Sequence, residues 1–218
     1  MLEHETNSDE WIEKLFEDRH GQNWGSAARG KEHFVAFLWI TKNCSTFFRK
    51  VTNDVRVDCA NFNNVVVILR DPLERYISGL IHYRAVADVS TQQWLEQAKL
   101  GVVHFDVHTV PQTAFLKYLP EEKRHYFLHS PTVTDDIKKR FGCKWIKKMH
   151  NEKKEVHRKY EFEKELLLYF RNNEDYFNLV QKQLEPDYIL MDRVLPQWRE
   201  NAYDIWDDKN LKDWRKNE

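Results

Sequence analysis

Cysteine is scarce. The 218 residues hold three, Cys44, Cys59 and Cys143, with no C-x-x-C pair. Neither a disulfide framework nor a cysteine zinc site can be built from that set, and a reducing compartment suits it, with one disulfide left open. Glycine is also rare, six in all, and none lies between Gly30 and Gly79. The glycine-lined G-x-x-x-x-G-K-[ST] loop of ATP- and GTP-binding proteins is therefore absent. The longest apolar run, residues 34–40, is seven residues, against the roughly 20 that span a bilayer. Charge of one sign is missing too: Lys+Arg 34 against Asp+Glu 35 leaves −1. The chain as a whole has no attraction for nucleic acid or anionic lipid, so any anion site must be local. Residues 1–10 are polar and acidic, unlike a secretory signal. The chain as given reads as soluble and cytoplasmic, with a trimmed signal or membrane anchor left open.

What is present is a core. Hydrophobic residues make up 41% and aromatics 14%, with 8 Trp and 13 Phe, enough apolar surface for one folded domain over residues 1–218. Residues 1–32 read as peripheral: a short amphipathic segment (Trp11, Ile12, Leu15, Phe16), then a loop with Gly21, Gly25 and Gly30. Residues 34–40 and 65–69 are continuous apolar runs, the mark of strands covered on both faces. Residues 126–128 suit a third strand. Helices are expected after residue 46, after Asp71, after Ser90, over 134–141 stopping at Gly142, and over 161–183 with a break near Asn172. Asp71 as N-cap, Pro72 at N1 and Glu74 at N3 form a capping-box pattern. Alternating strand and helix imply an α/β fold with a mainly parallel sheet flanked by helices. In such folds ligands sit beyond the carboxyl ends of the strands.

Two motifs begin where a buried strand ends. Thr41-Lys42-Asn43-Cys44-Ser45-Thr46 follows the first. Lys42 offers a full positive charge, Ser45 and Thr46 offer hydroxyls, and backbone N–H groups opening a helix point toward an anion. The same residues also suit a plain capped strand-to-helix turn. Arg70-Asp71-Pro72 follows the second. A guanidinium at a strand end can grip a phosphate bidentately. At helical spacing Arg75, Ser78 and His82 fall together, opposite the stripe of Leu73, Tyr76, Ile77, Leu80 and Ile81. That polar set reads either as a site face shared with Arg70 or as an ordinary solvated face. One ligand with two separated phosphates accounts for both motifs.

Here the sequence resembles a known family. Residues 40–46 resemble the 5′-phosphosulfate loop of sulfotransferases. Arg70 followed eight residues later by Ser78 resembles their 3′-phosphate motif. The Cys in the first loop and the R-D-P-x-x-R of the second are closest to the carbohydrate sulfotransferase branch. His108-Thr109-Val110-Pro111-Gln112 resembles that branch's H-x-x-P-Q segment, and residues 167–180 with Asp175-Tyr176-Phe177 its late helix. The resemblance spans residues 34–182. It implies a P-loop-like nucleotide-binding core there, with residues 197–218 as a Trp-rich tail. One departure stands out: no histidine occurs between His33 and His82, where some members carry their base.

The resemblance implies a reaction: transfer of a sulfuryl group from 3′-phosphoadenosine 5′-phosphosulfate to an acceptor hydroxyl, on a glycan by analogy. Lys42 would contact the phosphosulfate and neutralise charge growing on the leaving oxygen. Asn43, Cys44, Ser45 and Thr46 would line the 5′-phosphate, and Arg70 and Ser78 would hold the 3′-phosphate. The scheme requires no metal, nucleic acid or membrane span. The acceptor needs a base. His108 is favoured because it opens the H-x-x-P-Q match, with His82, His104, Asp54 and Asp58 as rivals. His104 and His108 also have the spacing of two metal ligands on one helical face, but Pro111 and the lack of nearby cysteines argue against zinc. Residues 144–159 are basic and suit either an anionic glycan or a solvated helix face. Two other readings stay open: a small-molecule kinase with a degenerate phosphate loop, and a non-catalytic nucleotide- or glycan-binding module whose Trp11, Trp24, Trp94, Trp198, Trp206 and Trp214 stack on sugars.

Overall fold

Val65–Leu69 is five apolar residues in a row, mostly β-branched, with no polar face to offer water, and all five are buried in an interior strand. The computed structural model describes residues 7–17, 23–43, 45–52, 55–143 and 156–206. In chain order the elements are α1 (Asp9–Glu17), β1 (Trp24–Arg29), β2 (Phe34–Leu38), α2 (Ser45–Val51), β3 (Val57–Asp58), β4 (Val65–Leu69), α3 (Pro72–Ala87), α4 (Thr91–Lys99), β5 (Arg124–Leu128), α5 (Val133–Phe141), α6 (Val156–Asn172) and α7 (Glu174–Val194). Short 3-10 turns lie at Cys59–Asn61, Gln112–Leu116, Glu121–Lys123 and Pro196–Asn201.

The sheet order is β3-β1-β2-β4-β5. β2, β4 and β5 run parallel, while β1 is antiparallel to both β2 and β3. The sheet is therefore mixed, not mainly parallel as the alternation of elements implied. The reason is the connection after β1. Residues 30–33 are too few for a crossover, which takes a dozen residues or more, and suffice only for a hairpin. The turn closes with Gly30 N–H donating to the His33 carbonyl at 2.9 Å. β1 also corrects the reading of residues 1–32 as a peripheral helix and loop. Its sequence, Trp-Gly-Ser-Ala-Ala-Arg, has no β-branched residue to announce a strand. Gly25 is required there, because a Cβ would stand 2.3 Å from both Cys59 Sγ and the Phe37 carbonyl oxygen.

Both faces of the sheet are covered. Ala36, Leu38, Val65, Val67 and Leu69 pack with Ile12 and Phe16 of α1, Phe115, Leu116, Met191 and Trp198. The alternate residues Val35, Phe37, Val66 and Ile68 pack with Phe48, Val133 and Ile137, and the Phe37 and Phe48 rings stack at 4.5 Å. A further, mainly helical cluster joins Leu73, Tyr76, Ile77 and Leu80 of α3 to Trp94, Phe162, Phe170, Val180 and Leu184, with Val103 and Ile205 from outside the helices. Trp94 and Trp198 are core residues and cannot stack on sugars.

The helix boundaries follow capping chemistry. Asp71 Oδ1 accepts from Glu74 N–H at 2.9 Å, with Pro72 in the first turn. Ser90 and Gln93 make a full capping box. α5 ends on Gly142 at φ 65°. α6 and α7 divide at Asn173, as expected, but α7 continues through Pro186 to Val194, well beyond the expected end. Among the described residues no helix is long and apolar enough to cross a membrane.

Candidate functional site

The register of β2 on β4 pairs Ala36 with Val65 and Phe37 with Val66. The two strands are parallel neighbours, so the motif loops that leave their carboxyl ends emerge side by side. The chain leaves β2 through a turn in which Lys42 takes φ 67°. That left-handed conformation is unfavourable for a residue with a Cβ and concentrates at functional turns. Arg70 reaches across the gap: its Nη1 donates to the Lys42 carbonyl at 3.4 Å, while Nη2 pairs with Glu74 Oε1 at 2.6 Å.

Gln112 locks the two loops together. Its Nε2 donates to the Arg70 carbonyl and its Oε1 accepts from the Arg70 N–H, both at 2.9 Å, so the side-chain amide extends β4 as a neighbouring strand would. The same Oε1 accepts from Asn43 Nδ2, which also donates to the Ile68 carbonyl at 2.8 Å. Asn43 and Gln112 are both buried. Gln112 is anchored in turn by Asp187 of α7, whose carboxylate accepts from the N–H groups of Gln112 at 2.7 Å and Thr113 at 2.8 Å. Burial raises the Asp187 pKa, and the charge of Arg75 with these two N–H groups opposes the rise.

Arg75 is the principal surprise. Helical spacing set it on the polar face with Ser78 and His82, yet it is 0% exposed. It donates to the Thr41 carbonyl at 3.0 Å, to Thr41 Oγ1 at 3.1 Å and to the Val110 carbonyl at 2.6 Å. Thr41 Oγ1 donates to the Val107 carbonyl at 2.7 Å. Helix α3 thus ties the residue before Lys42 to the segment that carries His108. Burial lowers the guanidinium pKa to about 10, with Asp187 opposing, so it stays charged at neutral pH.

His108 sits half-buried in that segment. Its Nδ1 lies 2.7 Å from Asp106 Oδ2, and its N–H donates to Asp106 Oδ1 at 2.8 Å. The His82 ring of α3 stands 4.3 Å from the His108 ring, centroid to centroid. This approach depends on Gly79, where a Cβ would lie 2.1 Å from the His108 carbonyl oxygen. Ser78 is half-buried on the same stretch of α3. The rival bases fare differently. His104 is fully buried, with Nδ1 3.0 Å from the Thr109 carbonyl. Burial lowers its pKa to about 4, so it is a neutral core residue and neither a base nor half of a metal pair. Asp58 caps the turn after β3 by accepting from Ala60 N–H at 3.0 Å, on the sheet edge far from β4.

A second titratable group flanks Arg70 from α6, and no sequence signal marked it. Burial pushes the Glu163 carboxyl up to about 7; the Tyr203 hydroxyl and Arg70 oppose this and Glu74 adds to it. Tyr203 belongs to the tail, and its N–H donates to Asp71 Oδ2 at 2.9 Å, so the tail packs on the Arg-Asp-Pro motif. Burial alone would raise Glu74, but the hydrogen bond and charge of Arg70, with His129, hold it below the usual range.

Of the sequence-derived set, Lys42, Asn43, Arg70 and His108 gather at the ends of β2 and β4. Ser45 opens α2 beside them, and Ser78 lies one turn beyond Arg75 on α3. Cys44 and Asp54 lie outside the described residues, as do residues 144–155 of the basic stretch and Trp214; the side chain of Thr46 is likewise outside the description. Among the described residues no group of three or more His, Cys, Asp or Glu side chains is placed to hold a metal ion. Compared with known proteins, the chain matches no family model, no curated protein and no solved structure.

Proposed function

We propose that this chain is a sulfotransferase that moves a sulfuryl group from 3′-phosphoadenosine 5′-phosphosulfate to a hydroxyl, with a glycan as the favoured acceptor. One observation carries the reading. Three segments far apart in the chain, each with a family-like pattern, share one hydrogen-bonded cluster: Gln112 of the H-x-x-P-Q segment bonds both Asn43 of the first loop and Arg70 of the second. A solvated turn and a chance Arg-Asp-Pro give no reason for such a buried link.

The chemistry needs positioning and charge more than covalent assistance. In the proposed reaction His108 Nε2 takes the proton of the acceptor hydroxyl as its oxygen attacks sulfur. The bond from sulfur to the bridging oxygen of the 5′-phosphate breaks, and the electron pair stays on that oxygen. Lys42 neutralises the charge arriving there, and the product is 3′,5′-adenosine bisphosphate. Arg70 meets the 3′-phosphate with a guanidinium already oriented by Glu74 at 2.6 Å, and Ser78 adds a hydroxyl.

Calorimetric titration with 3′,5′-adenosine bisphosphate, with 5′-AMP and ATP as controls and no metal added, tests the reading. Binding that is lost without the 3′-phosphate supports it. No binding, or preference for ATP with magnesium, defeats it.

A further inference from the structure

We infer that Asp106 is a positioning residue: it fixes the tautomer of His108 so that Nε2 faces the acceptor hydroxyl as a proton acceptor. The inference rests on the sulfotransferase reading for the identity of the reaction, but not for the geometry.

The two carboxylate oxygens of Asp106 are committed to one residue. Oδ1 takes the His108 backbone N–H at 2.8 Å and Oδ2 faces Nδ1 at 2.7 Å. A carboxylate only accepts, so Nδ1 carries a hydrogen, and in the neutral ring the lone pair is then on Nε2. The side chains are 21% exposed for His108 and 25% for Asp106, open enough for a substrate and covered enough for one geometry. The His82 ring at 4.3 Å limits ring rotation from the α3 side, and Gly79 lets α3 come that close. Next to Asp106 in the chain, Phe105 packs on Tyr83 of α3 at 5.2 Å.

The segment that carries the dyad is also tied to the loop that carries Lys42. Thr41 donates to the Val107 carbonyl at 2.7 Å, so the residues next to Lys42 and His108 in sequence are bonded to each other. Arg75 bonds Thr41 and Val110, bracketing His108 on its other side. Lys42 and an oriented imidazole thus lie on two stapled loops, and in the proposed reaction one acts at the bond that breaks and the other at the hydroxyl that attacks.

The test is Asp106→Asn. The asparagine oxygen stays with the backbone N–H, which turns its NH2 toward Nδ1. Two donors cannot face each other, so the ring must move its hydrogen to Nε2. The expected result, read by long-range 15N–1H NMR on histidine-labelled full-length protein with His108 assigned by His108→Gln, is an Nδ1–H ring in the wild type and an Nε2–H ring in Asp106→Asn. The dissociation constant for 3′,5′-adenosine bisphosphate should stay within about twofold. Transfer of 35S from labelled donor to chondroitin should drop about 10²-fold or more in kcat, with little change in donor KM, as loss of general-base catalysis requires. An unchanged tautomer in Asp106→Asn, or an Nε2–H ring in the wild type, overturns the inference, as does unchanged turnover with a flipped ring. Wild-type protein that neither binds the bisphosphate nor sulfates chondroitin defeats the reaction instead, and the ring comparison still decides what Asp106 does.

Discussion

Replacing Arg75 with methionine removes the fastener between the two loops while keeping most of the packing volume against Phe115, whose ring lies 5.6 Å from the guanidinium. Four hydrogen bonds disappear, three at 2.6, 3.0 and 3.1 Å and a long one to the Val107 carbonyl at 3.5 Å, and each charge-assisted bond contributes about 1.5–3 kcal/mol. Asp187 also loses the charge that opposes its desolvation. The buried thioether recovers about 2 kcal/mol of transfer free energy. Even at the low end of that range the net cost is about 3 kcal/mol, within the roughly 3–5 kcal/mol found when one member of a buried charge system is removed. Because 1 kcal/mol shifts Tm by about 2–4 °C in a chain of this size, Arg75→Met should melt at least about 6 °C lower. Hydrogen exchange should quicken in residues 40–43 and 106–112, while the α4–α6 cluster keeps its protection. A Tm within about 2 °C of wild type, with unchanged exchange in those segments, would refute the claim that Arg75 organises the site.

Other consequences are equally direct. Lys42→Gly should be more stable than Lys42→Ala by about 1 kcal/mol in chemical denaturation, because φ 67° suits glycine; both should lose far more turnover than affinity for the bisphosphate. Gly79→Ala forces a Cβ onto the His108 carbonyl and should perturb the His82 and His108 ring signals before it disturbs bisphosphate binding. Glu163 sits at about 7, above its unfolded value, so its stabilising contribution is complete at low pH and is lost as pH rises through 7. Thermal melts of Glu163→Gln and wild type should therefore diverge between about pH 5 and 8, with wild type the weaker at the upper end. His104, lowered to about 4, works in the opposite sense: its contribution is present above the unfolded histidine pKa and is lost as pH falls toward 4. His104→Phe should lessen the acid-side decline, and a wild-type melting profile flat from pH 7 to 4 would contradict this.

Much of the architecture was legible from local pattern. Short unbroken apolar runs suit strands covered on both faces, and β2 (Phe34–Leu38) and β4 (Val65–Leu69) lie within residues 34–40 and 65–69. Asp71-Pro72, Ser90 with Gln93, and Gly142 mark helix ends because each satisfies backbone groups within a few residues. The positions of Lys42 and Arg70 at strand ends follow from the same rule. β1 was not legible, since a glycine- and alanine-containing hexapeptide becomes a strand only when β2 and β3 supply its hydrogen bonds.

What the sequence alone determined, then, is every feature whose cause lies within one turn or one strand: elements, caps, and the chemical character of the two loops. The tertiary structure decided the rest, because burial and convergence depend on neighbours remote in the chain. Periodicity placed Arg75 on a polar face, and only the loops of residues 41 and 110, folding over that face, made it a buried fastener. Gln112, Asp187 and Glu163 acquired their environments from β4, α3, the tail and one another. The pairing of Asp106 with His108 is local, yet its segment is joined to the loop that carries Lys42 only because Thr41 meets the Val107 carbonyl at the sheet end.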